Sequence, residues 1–277
     1  HAMTVRAAKI TKRIMDAAPD LMVVSRHGVG YDAVDLNTLT QRNIPLCIAV
    51  HSNMISVAEQ AMALLLGLAK DMFHYDDVTR RDGWPNRWPT RAVDIEGKKI
   101  LIVGFGRIGS QVAKRALGFD MNVYGYDPYI DQKIMTDAGV EPVSNYNSVL
   151  GDMDAVAIHC MKTRETTNMF STEQFQKMKS DAFLVNCARG GIVDEDALHS
   201  ALTSGEIRAA GLDVLLDEPS SADHPLFKLK NIILSPHVAG VTVESTQRMA
   251  TQTVDNVLRV FDGNIDPDCV VNSDVLK

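Results

Sequence analysis

A chain of 277 residues, 45% hydrophobic and 23% charged, has the composition of a globular protein and enough length for two packed domains. Its formal net charge of −7 gives no general attraction to nucleic acid or to an anionic membrane, so neither is an expected partner, and an anionic ligand must be drawn by a local cluster of arginine or lysine. Cys47, Cys160, Cys187 and Cys269 lie far apart with no Cys-x-x-Cys pair and no histidine at ligand spacing. That pattern argues against a zinc site or a disulfide framework and for reduced thiols in a cytoplasmic protein, and no metal is expected. The longest apolar stretch, Ala61 to Ala69, is too short to span a bilayer.

In chain order, Thr4 to Ile14 reads as a short helix-like piece and Leu21 to Val24 as a buried strand. The strand runs into Arg26-His27-Gly28-Val29-Gly30, where the glycines either offer backbone amides to a ligand or make an ordinary turn. Ile44 to Val50 reads as another strand, and Ser52-Asn53 stand where a cap belongs. From Ile55 to about Arg81 a single long helix is expected, apolar nearly all round in its first half. Such a helix is buried on several faces, at a seam between domains, a subunit interface, or both. Asp82-Gly83-Trp84-Pro85 breaks it, and a proline-rich connection to Gly97 carries both tryptophans.

The strand-like Ile100 to Val103 then enters Gly104-Phe105-Gly106-Arg107-Ile108-Gly109, followed by a helix-like segment from Ser110 to Leu117. Gly104 permits a tight turn, Gly106 lets backbone approach a pyrophosphate, and Gly109 lets the helix lie close on its strand. The helix N-terminus faces the phosphates with unpaired N–H groups and the positive end of its dipole. A further apolar run, Met121 to Tyr126, closes in Asp127. That is 127 − 109 = 18 residues beyond Gly109, near the roughly 20 expected for a ribose-binding acid. A carboxylate there accepts from both ribose hydroxyls and repels a 2′-phosphate, which favours NAD over NADP. The competing reading of Asp127 is a turn cap before Pro128.

Beyond Asp127 strands and helices alternate: strand Ala155 to His159, helix Ser171 to Met178, strand Ala182 to Asn186, helix Glu195 to Ser204, strand Ala209 to Val214 and strand Asn231 to Ser235. Thr172 and Asp194 stand at N-cap positions and Gly205 at a C′ position, and a last helix, Val243 to Phe261, ends at Gly263 before an extended tail from Asp266 to Asn272. The alternation implies an α/β fold, a doubly wound parallel sheet of Rossmann type with a second, smaller domain. Residues 54–248 form the expected NAD-binding domain, and 1–53 with 249–277 the expected substrate domain.

Ligands of such a sheet bind beyond the carboxyl ends of its strands. Asn186 to Gly191, Asp213 with Asp217-Glu218-Pro219, and Ser235 to Gly240 supply a guanidinium, carboxylates and an imidazole at one edge. Hydride exchange between a carbinol carbon and nicotinamide needs a base for the hydroxyl proton, a task suited to His237. Glu218 is placed to fix its tautomer, and Arg189 to grip a substrate carboxylate with a fork of donors. Each has a bland alternative: His237 bonding nearby backbone, Glu218 in solvated loop, Arg189 paired with Asp213 or Asp194. Three such coincidences at the edge where nicotinamide would lie are harder to accept than one. His27, His51, His159, His199 and His224 read as structural or surface histidines.

The glycine fingerprint, NCARGGIVDEDAL from Asn186, GLDVLLDEP from Gly211 and SPHVAG from Ser235 resemble the D-2-hydroxyacid dehydrogenase family, which includes D-3-phosphoglycerate dehydrogenases and hydroxypyruvate reductases. The resemblance implies Arg189, Glu218 and His237 as the catalytic set. It implies cofactor contacts from Gly104, Gly106, Arg107, Ile108, Gly109, Asp127, Cys160, Cys187, Ala188, Asp213 and Gly240, and substrate contacts from Val29, Gly30, Asn53 and Arg189. It further implies a homodimer built on the Ile55 to Arg81 helix and a substrate cleft between the two domains. Family members begin with an additional strand-helix-strand section, so the substrate domain is expected to be N-terminally incomplete, and no regulatory domain is expected after Asn272. The expected activity is NAD-dependent interconversion of a small D-2-hydroxy acid and its 2-keto acid, phosphoglycerate- or hydroxypyruvate-like. The alternative is an NAD(H)-sensing, corepressor-like binding protein of the same fold.

Overall fold

The computed structural model describes residues 1–81, 84 and 91–277. Apart from Trp84, the expected break at Asp82 to Pro85 and the second tryptophan of the connection, Trp88, lie outside the described residues. In chain order the elements are β1 (Ala2–Val5), α1 (Lys12–Asp16), β2 (Val23–Arg26), α2 (Leu36–Gln41), β3 (Leu46–Ile48), α3 (Met54–Ala69) and α4 (Met72–Arg81). There follow β4 (Lys99–Val103), α5 (Arg107–Gly118), β5 (Asn122–Tyr126), α6 (Gln132–Asp137), β6 (Glu141–Pro142), β7 (Ala155–Ile158), α7 (Thr172–Lys177), β8 (Phe183–Asn186), α8 (Glu195–Ser204), β9 (Ala209–Leu212), β10 (Ile232–Leu234) and α9 (Val243–Phe261). They form two compact units, His1–Ser56 with Gly240–Lys277, and Val57–Ala239.

In the first unit, β1, β2 and β3 pair in that order, all parallel. Met15, Val24, Leu39 and Leu46 are wholly buried in its core. The whole of α9 belongs here because it is tied to the sheet: Ser25 Oγ donates to the Thr253 carbonyl (2.9 Å) and Asn256 Nδ2 to the Ile48 carbonyl (3.1 Å). The boundaries expected at 54 and 248 therefore fall at 57 and 239. The segment read as helix-like from Thr4 to Ile14 is instead mostly the end of a strand and a bend, with α1 beginning only at Lys12; β1 gains a partner strand in β2, which local spacing does not reveal. The tail from Asp266 to Asn272 is not wholly extended, since Pro267–Cys269 make a short 3-10 turn capped by Asp266, whose carboxylate accepts from the Asp268 amide (3.1 Å).

In the second unit seven parallel strands lie in the order β10-β9-β8-β7-β4-β5-β6. Alternate residues feed opposite faces: Ile100, Ile102 and Val185 enter a core shared with α3 and α5, while Leu101, Val103 and Leu184 enter one shared with α7 and α8. The chain winds from β4 through β6 in one direction, then returns to β7 beside β4 and winds the other way, so the topological switch lies between β4 and β7. The single helix expected from Ile55 to Arg81 is two, divided at Asp71, whose φ of +51° takes the backbone into the left-handed region. Asp194 and Gly205 cap α8 as expected, whereas α7 is capped by Ser171, with Thr172 its first helical residue.

Candidate functional site

The glycine loop leaves β4 at the switch point, and each of its three glycines meets a different demand. Gly104 has φ +92°, and a Cβ there would fall 2.5 Å from the Cys160 amide nitrogen, so the turn after β4 is pressed against the turn after β7. A Cβ on Gly109 would fall 2.0 Å from the Gly104 carbonyl oxygen, while one on Gly106 would meet nothing within 4 Å among the described residues. Gly106 is also the N-cap of α5 and supplies no side-chain cap. The loop thus offers an open backbone cradle ahead of helix amides that no capping side chain claims, which fits the pyrophosphate of a dinucleotide.

Asp127 follows β5. Its Oδ2 accepts from the Phe105 amide (2.9 Å) and its Oδ1 from the Tyr129 amide (2.9 Å). The turn-cap reading and the cofactor reading are therefore compatible, because the same carboxylate that closes the turn is anchored to the glycine loop. Arg107 is exposed and Ile108 half-buried at the start of α5, and Cys187 and Ala188 are buried after β8. Burial pushes the Cys160 thiol up to about 11 and holds the Cys187 thiol well above its usual range, so both stay protonated at neutral pH.

The chemical groups stand on loops at the carboxyl ends of three neighbouring strands, β8, β9 and β10. After β8, the buried Asn186 side chain folds the chain back on itself, its Oδ1 accepting from the Ala188 amide (2.9 Å) and its Nδ2 donating to the Arg189 carbonyl (3.0 Å). Half-buried Arg189 donates from Nη1 to the Ala188 carbonyl (2.7 Å). A Cβ on the next residue, Gly190, would lie 1.8 Å from the Leu215 carbonyl oxygen, so this loop lies directly on the one that follows β9.

That second loop begins with Asp213, which is 1% exposed. Its Oδ1 accepts from Ser235 Oγ (2.5 Å) and the Val238 amide (2.9 Å), and its Oδ2 from the Ala239 amide (2.9 Å), while its carbonyl accepts from the His237 amide (2.8 Å). These four bonds bracket His237 from both sides and hold its backbone at φ +54°, an unusual conformation for a residue with a side chain. The imidazole Nδ1 then lies 2.6 Å from Glu218 Oε2, and Glu218 Oε1 accepts from the Leu215 amide (3.0 Å). A carboxylate can only accept, so Nδ1 carries the proton in the neutral ring and Nε2 keeps its lone pair for a proton from substrate.

In the first unit, the loop after β2 holds Val29 and Gly30, both half-buried. Arg26 braces it from Nε to the Gly30 carbonyl (2.8 Å) and from Nη1 to the His27 carbonyl. Gly240 lies in this unit against Asn53, whose Nδ2 would be 2.8 Å from an added Cβ. The structuring roles of Arg26, Asn186 and Asp213 had no periodic signal; their only sequence mark is position, at or just after the end of a strand.

Residues 62–239 match the family model described as D-isomer specific 2-hydroxyacid dehydrogenase, NAD binding domain. The chain belongs to this family. It is 36% identical over 264 residues to a D-3-phosphoglycerate dehydrogenase of Archaeoglobus fulgidus, covering 95% of this chain and 50% of the relative. It is 36% identical over 272 residues to a glyoxylate reductase of Thermofilum pendens, covering 97% and 80%. Among solved structures, D-lactate dehydrogenase from Aquifex aeolicus, complexed with NAD and lactic acid, superposes with a TM-score of 0.86 at 28% identity, covering 95% of this chain and 83% of that one. The chain spans about half the length of the curated D-3-phosphoglycerate dehydrogenases it matches. In this family member the glycine loop and Asp127 belong to the matched NAD-binding region. Among the described residues no helix is long and apolar enough to cross a membrane, and no group of three or more metal-ligating side chains occurs.

Proposed function

We propose that the chain is an NAD-dependent oxidoreductase interconverting a small D-2-hydroxy acid and its 2-keto acid. The observation that carries this reading is the 2.6 Å contact between His237 Nδ1 and Glu218 Oε2 on loops beside the one that bears Arg189. The glycine loop and Asp127 would hold NAD, which would supply the hydride acceptor for oxidation of the carbinol carbon and, reduced, the hydride donor for the keto carbon. In the oxidation direction His237 Nε2 takes the hydroxyl proton, and Glu218 holds the ring in the required tautomer and offsets the charge it gains. In reduction the same ring delivers that proton to the carbonyl oxygen. Arg189 binds the substrate carboxylate through paired donors and polarises the adjacent carbonyl.

Val29 and Gly30 amides and Asn53 complete the proposed substrate contacts, with a phosphoglycerate- or hydroxypyruvate-like acid favoured; the names of the relatives support that class. Arg107, Ile108, Cys160, Cys187, Ala188, Asp213 and Gly240 remain proposed cofactor contacts. A cytoplasmic homodimer is proposed as well, and apolar Met72 and Phe73, exposed on α4, support it. Steady-state NADH oxidation with a panel of small 2-keto acids tests the activity. Turnover of at least one acid is expected. Tight NADH binding without turnover of any would overturn the reading in favour of a corepressor-like NAD(H) sensor.

A further inference from the structure

The second unit contains another histidine–carboxylate pair, close to the first and assigned no task above. Glu195 opens α8, where an exposed glutamate would need no partner beyond the helix dipole. Here its side chain is 14% exposed and both oxygens are engaged away from the helix. Oε1 accepts from the Leu216 amide (2.6 Å), and Oε2 lies 3.1 Å from His224 Nε2. The Leu226 amide points at His224 Nδ1 (3.3 Å), so Nδ1 is the acceptor and Nε2 the donor to Glu195.

Leu216 follows Leu215, whose amide is held by Glu218 Oε1 and whose carbonyl oxygen abuts Gly190. Two glutamates, one from α8 and one from the loop itself, therefore grip successive amides of that loop. That loop is the joint at which the Arg189 segment, the Glu218 carboxylate and, through Glu218, the His237 ring meet. Apart from Glu195, nothing among the described residues holds the Leu216 amide.

Resting on the proposed dehydrogenase reading, we propose that Glu195, locked by His224, is a positioning residue that sets where the Glu218 carboxylate meets the His237 imidazole. Its action is indirect. Glu195 holds the Leu216 amide and His224 rather than the proton-transfer pair itself, and its removal lets the 215–216 peptide shift and misaligns a pair whose efficiency depends on sub-ångström placement.

The test uses the full chain with Glu195→Ala, Glu195→Gln and His224→Asn. Glutamine can still accept from the Leu216 amide, and asparagine can still accept from the Leu226 amide, so these two guard against simple loss of folding. For Glu195→Ala the expected result is a kcat lowered by up to about 100-fold, with the Kd for NADH and the melting temperature nearly unchanged. Glu195→Gln should restore most of the rate, and His224→Asn should fall between. A parallel readout needs no turnover: the carbon-bound ring protons of His237, assigned by their loss in His237→Asn, should move in the NMR spectrum of Glu195→Ala and stay in place in Glu195→Gln. If the parent turns over no keto acid, the functional reading fails while the NMR arm still decides the positioning role. Unmoved His237 resonances in Glu195→Ala, or a rate loss matched by an equal loss of NADH affinity, would overturn the proposal.

Discussion

Glu218 and His237 meet at 2.6 Å from the ends of two adjacent strands, and the same Glu218 carboxylate holds the Leu215 amide with its other oxygen. The imidazole is thereby oriented, with Nε2 as the only ring atom left for proton exchange. His237→Ala is expected to lower kcat by about 100- to 10,000-fold, the usual worth of a positioned acid–base group, with the Kd for NADH preserved. Stopped-flow turnover and fluorescence titration with NADH check the two halves separately, and a variant with parental turnover would remove His237 from the mechanism.

The contact between Gly190 and the Leu215 carbonyl makes a second, steric prediction. A methyl group placed 1.8 Å from that oxygen cannot be accommodated without moving one loop, because backbone on both sides is held by hydrogen bonds. Gly190→Ala should cost about 1–3 kcal/mol of stability and depress turnover more than His224→Asn does. Chemical denaturation and kcat measured on the same preparation check this, and a neutral result on both would show that the loops are looser than their packing implies.

The parts of the fold that were legible in the sequence are those where local pattern and final environment agree. Ile100 to Val103 running into three spaced glycines is one such place, and Asp194 and Gly205 at the ends of α8 are others. Where an element depends on a distant partner, local pattern misleads. Thr4 to Ile14 reads as helix-like, yet Thr4 and Val5 end a strand once β2 lies beside them. Lys70-Asp71 offers neither glycine nor proline, so the left-handed Asp71 that divides α3 from α4 could not be foreseen. In the site, His237 and Glu218 were legible by residue type and position. Asp213 reads as an acid after a strand, a cofactor contact or a partner for Arg189, and nothing in the sequence marks that its carboxylate arranges the Ser235 to Ala239 loop. The Glu195–His224 link joins positions that acquire meaning only when α8 and the turn at Pro225 come together.

Asp127 has both a structural and a recognition role, and two substitutions separate them. Asparagine retains an oxygen for the Phe105 amide that Asp127 Oδ2 now holds at 2.9 Å, but removes the charge; alanine removes both. Asp127→Asn should therefore keep the fold and raise NADP affinity relative to NAD by about tenfold, equivalent to about 1.4 kcal/mol of relieved repulsion. Asp127→Ala should weaken both cofactors, because the glycine loop loses its anchor. Paired titrations with NADH and NADPH check this, and an unchanged preference in both variants would take Asp127 out of ribose recognition.

His159, directly after β7, has both ring nitrogens buried without a hydrogen-bond partner among the described residues, and burial pushes its titration down from 6.5 to about 4. The folded ring stays neutral where the unfolded ring takes up a proton, so between about pH 4 and 6.5 the unfolded state binds more protons. Stability contributed by this group is thus fully present above pH 6.5 and is lost as the pH falls, at a limiting slope of about 1.4 kcal/mol per pH unit. Replacing the ring by one that cannot titrate, His159→Phe, should flatten that part of the profile even where it alters stability at neutral pH. Denaturation midpoints measured from pH 7.5 down to 5 in parent and variant check the slope, and parallel profiles would show that His159 finds a compensating partner in solution.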